Sequence, residues 1–262
     1  MNLPSLIGMV HLPPLPGSPR FGNDLGAILE FAVRDAVTLA GAGFPGLMIE
    51  NFGDAPFYGE QVPPVTVAAM TRVAAAVAEQ TGLPIGLNVL RNDAMAALGI
   101  ATATGASFIR VNVLSGHMNT DQGSLTGRAA DVVRERQRLC PDVRIIADVF
   151  VKHATPPAGV TIEQAGIDTW ERAGADALVV SGRGTGITPD LDEAARLRLA
   201  VPEAKILIGS GSSAATLEAL AKVADGAIVG SALKVDGKVS NPVDSERARQ
   251  VVRAAATVGW LV

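Results

Sequence analysis

Eight short apolar runs alternate with eight stretches of helical period, and this alternation restricts the fold more than any other feature of the chain. The runs are Leu6–Leu12, Gly46–Asn51, Pro84–Leu90, Phe108–Val113, Arg144–Phe150, Ala177–Gly182, Lys205–Gly211 and Gly226–Ser231. Between them lie Leu25–Ala42, Val65–Thr81, Asp93–Thr104, Leu125–Leu139, Ile162–Ala173, Leu191–Ala200, Ala214–Ala224 and Pro242–Val258. Continuously apolar strands separated by helices require a parallel sheet covered on both faces. Eight such units close naturally into an α/β fold, the (β/α)8 TIM barrel, because closure removes exposed sheet edges. A doubly wound open sheet is the alternative, and it leaves two edges. With 48% hydrophobic residues the chain has ample core material, and its 262 residues (1–262) read as a single domain with no linker or low-complexity tract.

The net charge of −4 comes without any Lys/Arg cluster, which argues against a nucleic-acid partner. No apolar run nears the roughly 20 residues needed to span a bilayer, so no integral membrane segment is expected. The single cysteine, Cys140, excludes an intramolecular disulfide and a CxxC site and fits a reducing, cytoplasmic compartment. The N-terminus lacks the basic and apolar regions of a signal peptide.

Connections from helix to strand are short and carry Gly, as at Gly41-Ala-Gly43, Gly82, Gly105 and Gly174. Those from strand to helix are longer: Pro13–Asp24, Phe52–Pro64, Ser115–Ser124, His153–Thr161 and Arg183–Asp190. Length gathered on the C-terminal rim suggests loops kept for binding. The last two strands each end in a glycine–serine corner, Gly209-Ser210-Gly211-Ser212 and Gly230-Ser231. Corners at these two places form the phosphate cradle of many barrels, with glycine admitting the anion close to backbone N–H groups. Two ordinary turns are the plainer alternative. Ser181-Gly-Arg-Gly184-Thr185-Gly186 lacks both the GxGxxG and Walker A spacings, and reads as a loop over the ligand with Gly184 and Thr185 near its phosphate.

Strand alternation sorts the polar side chains. It turns Met9 and His11 inward on the first strand and Met48 and Glu50 on the second. Asn88 stands at the mouth of the third strand, and Arg110 and Asn112 share a face of the fourth. Ile146, Asp148, Phe150 and Lys152 share a face of the fifth, and Ser181 ends the sixth. The expected mouth is therefore ringed by His11, Glu50, Asn88, Asn112, Asp148, Lys152 and Ser181, with Arg110 one layer deeper. Buried Arg110 needs a carboxylate, Glu50 or Asp148, and both a structural ion pair and a substrate contact fit it. Glu50 and Asp148 are candidate base and acid, Lys152 a charge stabiliser or Schiff-base amine, and His11 a proton shuttle. His153 has the opposite parity and belongs on the rim. These residue types permit a divalent metal between Glu50 and Asp148, but no HxH or HExxH spacing calls for one, and no cofactor is evident.

Several motifs, taken in order, resemble one family: Ile7-Gly-Met-Val-His-Leu-Pro-Pro-Leu-Pro-Gly-Ser-Pro19, Met48-Ile-Glu-Asn-Phe-Gly-Asp54, Gly86-Leu-Asn-Val-Leu-Arg-Asn-Asp93, Phe108-Ile-Arg-Val-Asn112, Ala147-Asp-Val-Phe-Val-Lys-His153 and Asn241-Pro-Val-Asp244. Together, over nearly the whole chain, they are similar to the BtpA/SgcQ family. The resemblance implies a TIM barrel of the ribulose-phosphate-binding type. It also implies site positions at His11, Glu50, Asn88, Arg110, Asn112, Asp148, Lys152 and His153, each inside a matching motif. One branch of that family is linked to photosystem I biogenesis as a thylakoid-associated protein, which allows peripheral membrane association. Another sits among sugar-phosphate metabolism genes.

Two functions follow as expectations. One is an enzyme acting on a small phosphorylated metabolite by isomerisation, aldol-type cleavage or glycosyl transfer. The other is a non-catalytic assembly factor that uses the barrel as a scaffold. Barrels of this kind commonly self-associate, so a homo-oligomer is also expected.

Overall fold

The computed structural model describes residues 3–182, 184 and 190–261, and in it the eight apolar runs form a closed parallel barrel. Its strands are β1 (Leu6–His11), β2 (Leu47–Glu50), β3 (Ile85–Asn88), β4 (Phe108–Val111), β7 (Arg144–Phe150), β9 (Ala177–Val180), β10 (Ile206–Ile208) and β11 (Gly226–Val229), joined in that order, with β11 pairing back to β1. A second, three-stranded antiparallel sheet stands on the rim, built from β5 (His117–Thr120), β6 (Gly123–Thr126) and β8 (Ala154–Thr155). The helices are α1 (Leu25–Ala42), α2 (Pro64–Thr81), α3 (Ala94–Thr104), α4 (Ala129–Leu139), α5 (Ile162–Ile167), α6 (Leu191–Ala200), α7 (Leu217–Leu220) and α8 (Ser245–Thr257). Among the described residues no helix is long and apolar enough to cross a membrane.

Local chemistry sets the helix ends. Asp24, Asp93, Thr161, Asp190 and Asp244 each accept a hydrogen bond from a first-turn backbone N–H, and Pro64 opens α2, where no amide donor is needed. Gly43, Gly82 and Gly105 close α1 to α3 in the left-handed conformation that a side chain disfavours.

The barrel has two cores. Ile7, Met9, Met48, Phe108, Ile146, Val179, Leu207 and Ile228 fill the interior, while a larger apolar layer lies between strands and helices. Period-two alternation thus places Met9, Met48 and Ile146 inside, as expected.

Four expectations need correction. Phe150 does not face inward: the register slips between Asp148 and Phe150, and this bulge turns Phe150 out against the helix layer and the rim sheet. The segment from Ser115 to Ser124 is not a plain loop, because it carries the β5–β6 hairpin, and Leu125 belongs to β6, so α4 starts only at Ala129. The helical stretch Ile162–Ala173 changes pitch: α5 passes into a π-helical turn over Asp168–Arg172, with Ala173 N donating to Asp168 O. Only Leu217–Leu220 of the seventh helical stretch is regular α-helix.

Candidate functional site

Neighbouring strands bring the polar tips together at the C-terminal mouth. His11 pairs with Glu50 across β1 and β2, and Glu50 with Asn88 across β2 and β3, so three adjacent strands place these side chains abreast. Arg110 lies beside Ile146 on β7, and its guanidinium reaches Asp148. His11, Glu50, Asn88, Arg110, Asn112 and Asp148 are all buried.

Asp148 is the hub of a closed network. Arg110 grips it bidentately, Nε to Oδ2 at 3.0 Å and NH2 to Oδ1 at 2.7 Å. Asn112 donates to Oδ2 at 2.7 Å and Ser181 Oγ to Oδ1 at 3.3 Å. Burial alone would lower the Arg110 pKa; the charge and hydrogen bonds of Asp148 outweigh it and raise that pKa above the ordinary value. Four donors leave Asp148 little capacity for proton transfer or metal ligation. Its work is to hold Arg110, Asn112 and Ser181 in place.

Glu50 is in the opposite condition. Among the described residues it accepts no hydrogen bond, and its nearest basic group is His11, with Nε2 at 3.8 Å from Oε1. Burial, reinforced by the cations of Lys234, Lys152 and Arg110, holds the His11 imidazole well below its ordinary 6.5, so it is neutral at neutral pH. Phe52 meets its ring edge-on at 5.1 Å between centroids. Lys152 follows the β7 bulge and returns to the mouth, where burial lowers its ammonium pKa while Glu50 opposes the shift. His153 is exposed on the rim with a positive φ of 57°, and burial with the nearby Lys152 and Arg91 lowers its pKa.

The two glycine–serine corners adjoin this group. Gly209, Ser210, Gly211, Ser212, Gly230 and Ser231 line one small cavity together with Met9, His11, Glu50, Arg110 and Lys152. Its volume, about 30 Å³, is that of one water molecule. Ser210 Oγ donates to the carbonyl of Gly184 at 2.9 Å. Thr185 lies outside the described residues. Buried polar atoms with no partner among the described residues include His11 Nδ1, Asn88 Oδ1 and Ser212 Oγ. A second, larger chamber of about 300 Å³ continues from the same mouth, sharing Glu50, Arg110 and Lys152 and adding Asn112 and His153.

The corner glycines have a packing role as well. A Cβ on Gly209 would lie 2.5 Å from Val179, 2.7 Å from Ser181 Oγ and 3.1 Å from Arg110 NH2, and one on Gly230 would meet His11 at 2.8 Å. Both glycines face inward and leave the space that Arg110 and His11 fill.

The larger chamber also exposes residues that sequence reasoning did not single out: Phe52 and Phe57 from the loop after β2, Arg91 after β3, and Asp121 at the tip of the β5–β6 hairpin. Arg91 carried a readable signal, a lone cation just past a strand end on the functional rim, inside the motif Gly86–Asp93. Asp121 carried none, because its place depends on a hairpin formed across two loops.

A model of the BtpA family matches residues 3–257 of the chain. An uncharacterized protein of Thermococcus kodakarensis is 49% identical over 252 residues, covering 95% of this chain and 94% of its own. The photosystem I biogenesis protein BtpA of Synechocystis sp. is 44% identical, covering 96% and 88%, and the putative sgc region protein SgcQ of Escherichia coli is 30% identical, covering 94% and 92%. Among solved structures, phosphoribosyl anthranilate isomerase from Thermus thermophilus superposes with a TM-score of 0.60 at 13% identity, covering 97% of this chain and 98% of that one. KGPDC from Streptococcus mutans does so with 0.60 at 13% identity, covering 98% and 99%. The structural likeness establishes the TIM-barrel fold, and the sequence match over nearly the full length establishes that this chain belongs to the BtpA family.

Proposed function

We propose that the chain is an enzyme acting on a small phosphorylated metabolite, with its phosphate at the Gly209–Ser212 and Gly230–Ser231 corners and proton transfer by Glu50 and Lys152. The carrying observation is that the corners and the two titratable side chains line one cavity, which continues into a chamber large enough for a metabolite. Backbone N–H groups at the corners and the nearby Lys152 and Arg110 favour an anion, and Ser212 Oγ is a buried group in want of a partner. Glu50, a carboxylate with no hydrogen bond among the described residues, and Lys152, an amine of lowered pKa, line the same cavity and can act as base and acid. Neutral His11 can pass a proton on or hold a substrate hydroxyl. Asp148 serves as a positioning residue for Arg110 and Asn112, and Asn88 and Ser181 extend the polar wall toward the substrate. Isomerisation, aldol-type cleavage and glycosyl transfer are all within reach of this set. Because the corner cavity is water-sized, phosphate entry requires the side chains lining it to shift outward.

Phosphorus NMR of the protein with a panel of phosphorylated three- to six-carbon metabolites tests the reading. One member should be converted, and Glu50→Gln should abolish its conversion while the fold is kept. Conversion at the wild-type rate by Glu50→Gln removes Glu50 from the mechanism. The Synechocystis relative's name favours a second reading, a scaffold for assembly of a partner. That reading predicts partner capture untouched by Glu50→Gln and Lys152→Met and lost on changes to an outer helix.

A further inference from the structure

Arg91 is only 4% exposed, and it forms no ion pair among the described residues. Its one side-chain hydrogen bond there runs from NH2 to the carbonyl of Lys152 at 2.6 Å. A guanidinium keeps its proton at any physiological pH, so burial without a carboxylate leaves an uncompensated charge. Arg110, the other guanidinium at the mouth, is held by Asp148 at 2.7 Å. Asp148, Glu50 and Asp121 act on Arg91 only at longer range. Arg91 lines the chamber of about 300 Å³, between the apolar walls of Phe52, Phe57 and Leu90, at the part of the mouth that does not include the glycine–serine corners. A buried, unpaired fork beside open volume has the geometry for a planar two-oxygen anion.

We infer that Arg91 is a second anion-binding residue, and that the substrate carries a carboxylate there in addition to its phosphate at the corners. The inference rests on the phosphate reading for the first anionic group and fixes the second. It makes the substrate class a small phosphorylated carboxylic acid, spanning the mouth with Glu50 and Lys152 between its ends. Phe52 and Phe57 exclude water around the Arg91 end, where the ion pair with substrate gains strength.

Calorimetric titration with inorganic phosphate, glycerol 3-phosphate, 3-phosphoglycerate and glycerate tests this, because glycerol 3-phosphate and 3-phosphoglycerate differ only by hydroxymethyl against carboxylate. The wild-type protein should prefer 3-phosphoglycerate by about tenfold or more, the range of a charge-assisted bidentate contact. Arg91→Gln, which keeps a donor for the Lys152 carbonyl, should lose that preference and retain its affinity for inorganic phosphate and glycerol 3-phosphate. Arg91→Lys, which keeps the charge without the fork, should retain a fraction of the preference, and it serves if the glutamine variant does not fold. Equal binding of the two phosphorylated probes by the wild type, or an unchanged preference in folded Arg91→Gln, overturns the inference alone. Equal binding of glycerate and 3-phosphoglycerate overturns the phosphate reading alone. Loss of inorganic phosphate binding in Arg91→Gln moves the phosphate to Arg91 and overturns the assignment of a carboxylate there. Absence of binding by all four probes at millimolar concentration overturns both.

Discussion

A guanidinium sealed inside the barrel has to keep its charge, and Asp148 is what allows Arg110 to do so. Removing the charge of one partner leaves the other buried and uncompensated, which costs about 3–5 kcal/mol. Asp148→Asn should therefore lower stability by that amount in urea unfolding, well beyond the loss from Glu50→Gln, whose carboxylate accepts no hydrogen bond among the described residues. Equal losses would show that the network is not what secures Arg110. The neutral His11 makes a separate prediction. Its folded pKa is depressed, so the unfolded chain takes up its proton first as pH falls through the ordinary 6.5, and the stability held above that pH is lost on acidification. The loss should approach about 1.4 kcal/mol per pH unit until the folded pKa is reached. His153 shifts in the same direction, but it remains in a His11→Asn variant, so the difference between the two urea midpoint curves from pH 7 to pH 5 isolates His11. Parallel curves would mean that the His11 pKa is the same in the fold as in the unfolded chain, and that burial does not depress it. At this scale the polar ring was legible, because alternation on the strands fixes which tips share the mouth. The reason for the glycines was only half legible. Gly209 and Gly230 read as sites of close approach for an anion, and they are also the space taken by Arg110 and His11, which no local pattern reveals.

The barrel strands and most helix ends were readable because periodicity, capping aspartates and closing glycines are local signals. The rim sheet was not, since β5 and β6 are short and mostly polar, and β8 joins them from a loop about 30 residues further along the chain. What stabilises that sheet is a small core of its own, Val113, Met118, Leu125 and Val151, apart from the two barrel cores. Leu125 reads equally well as the start of an amphipathic helix, and the hairpin claims it instead. Leu125→Ala should cost roughly 2 kcal/mol or more at this cluster, with the effect confined to the sheet. Amide exchange across His117–Thr126 should quicken by tenfold or more while β2, β3 and β9 keep their protection. Uniform acceleration through the barrel would show that the rim sheet and the barrel open as one unit. Because Asp121 sits at the tip of this hairpin, the same variant should also loosen the outer wall of the larger chamber without disturbing the Asp148 network.

Closure of the whole barrel needs the first and last strands to meet, and the described residues add to the β1–β11 ladder a buried ion pair between positions 199 apart in the chain. Lys234, just past β11, places its ammonium 2.5 Å from Asp35 on α1, with exposures of 0% and 1%. Asp35 also accepts from the backbone N–H of Val243 at 3.0 Å, so one carboxylate ties α1 to the segment that leads into α8. Burial lowers the Lys234 pKa and Asp35 opposes that shift, which leaves each group dependent on the other. Neither residue stands out in the sequence, because a single acid in a helix and a single lysine after a strand carry no periodic signal. Closure was readable from the count of eight units, and its fastening was not. Lys234→Met should cost about 3–5 kcal/mol, since it strands the buried Asp35 carboxylate with only the exposed Arg34 guanidinium, 3.9 Å away, to offset its charge. Adding Asp35→Asn removes that stranded charge while its amide oxygen still accepts from Val243, so the double variant should be more stable than Lys234→Met alone. The resulting coupling, measured from urea midpoints of the four proteins, should lie within about 0.5–3 kcal/mol. Strict additivity, or a cost below about 1 kcal/mol for Lys234→Met, would show that strand pairing alone closes the molecule and that the ion pair merely fills space.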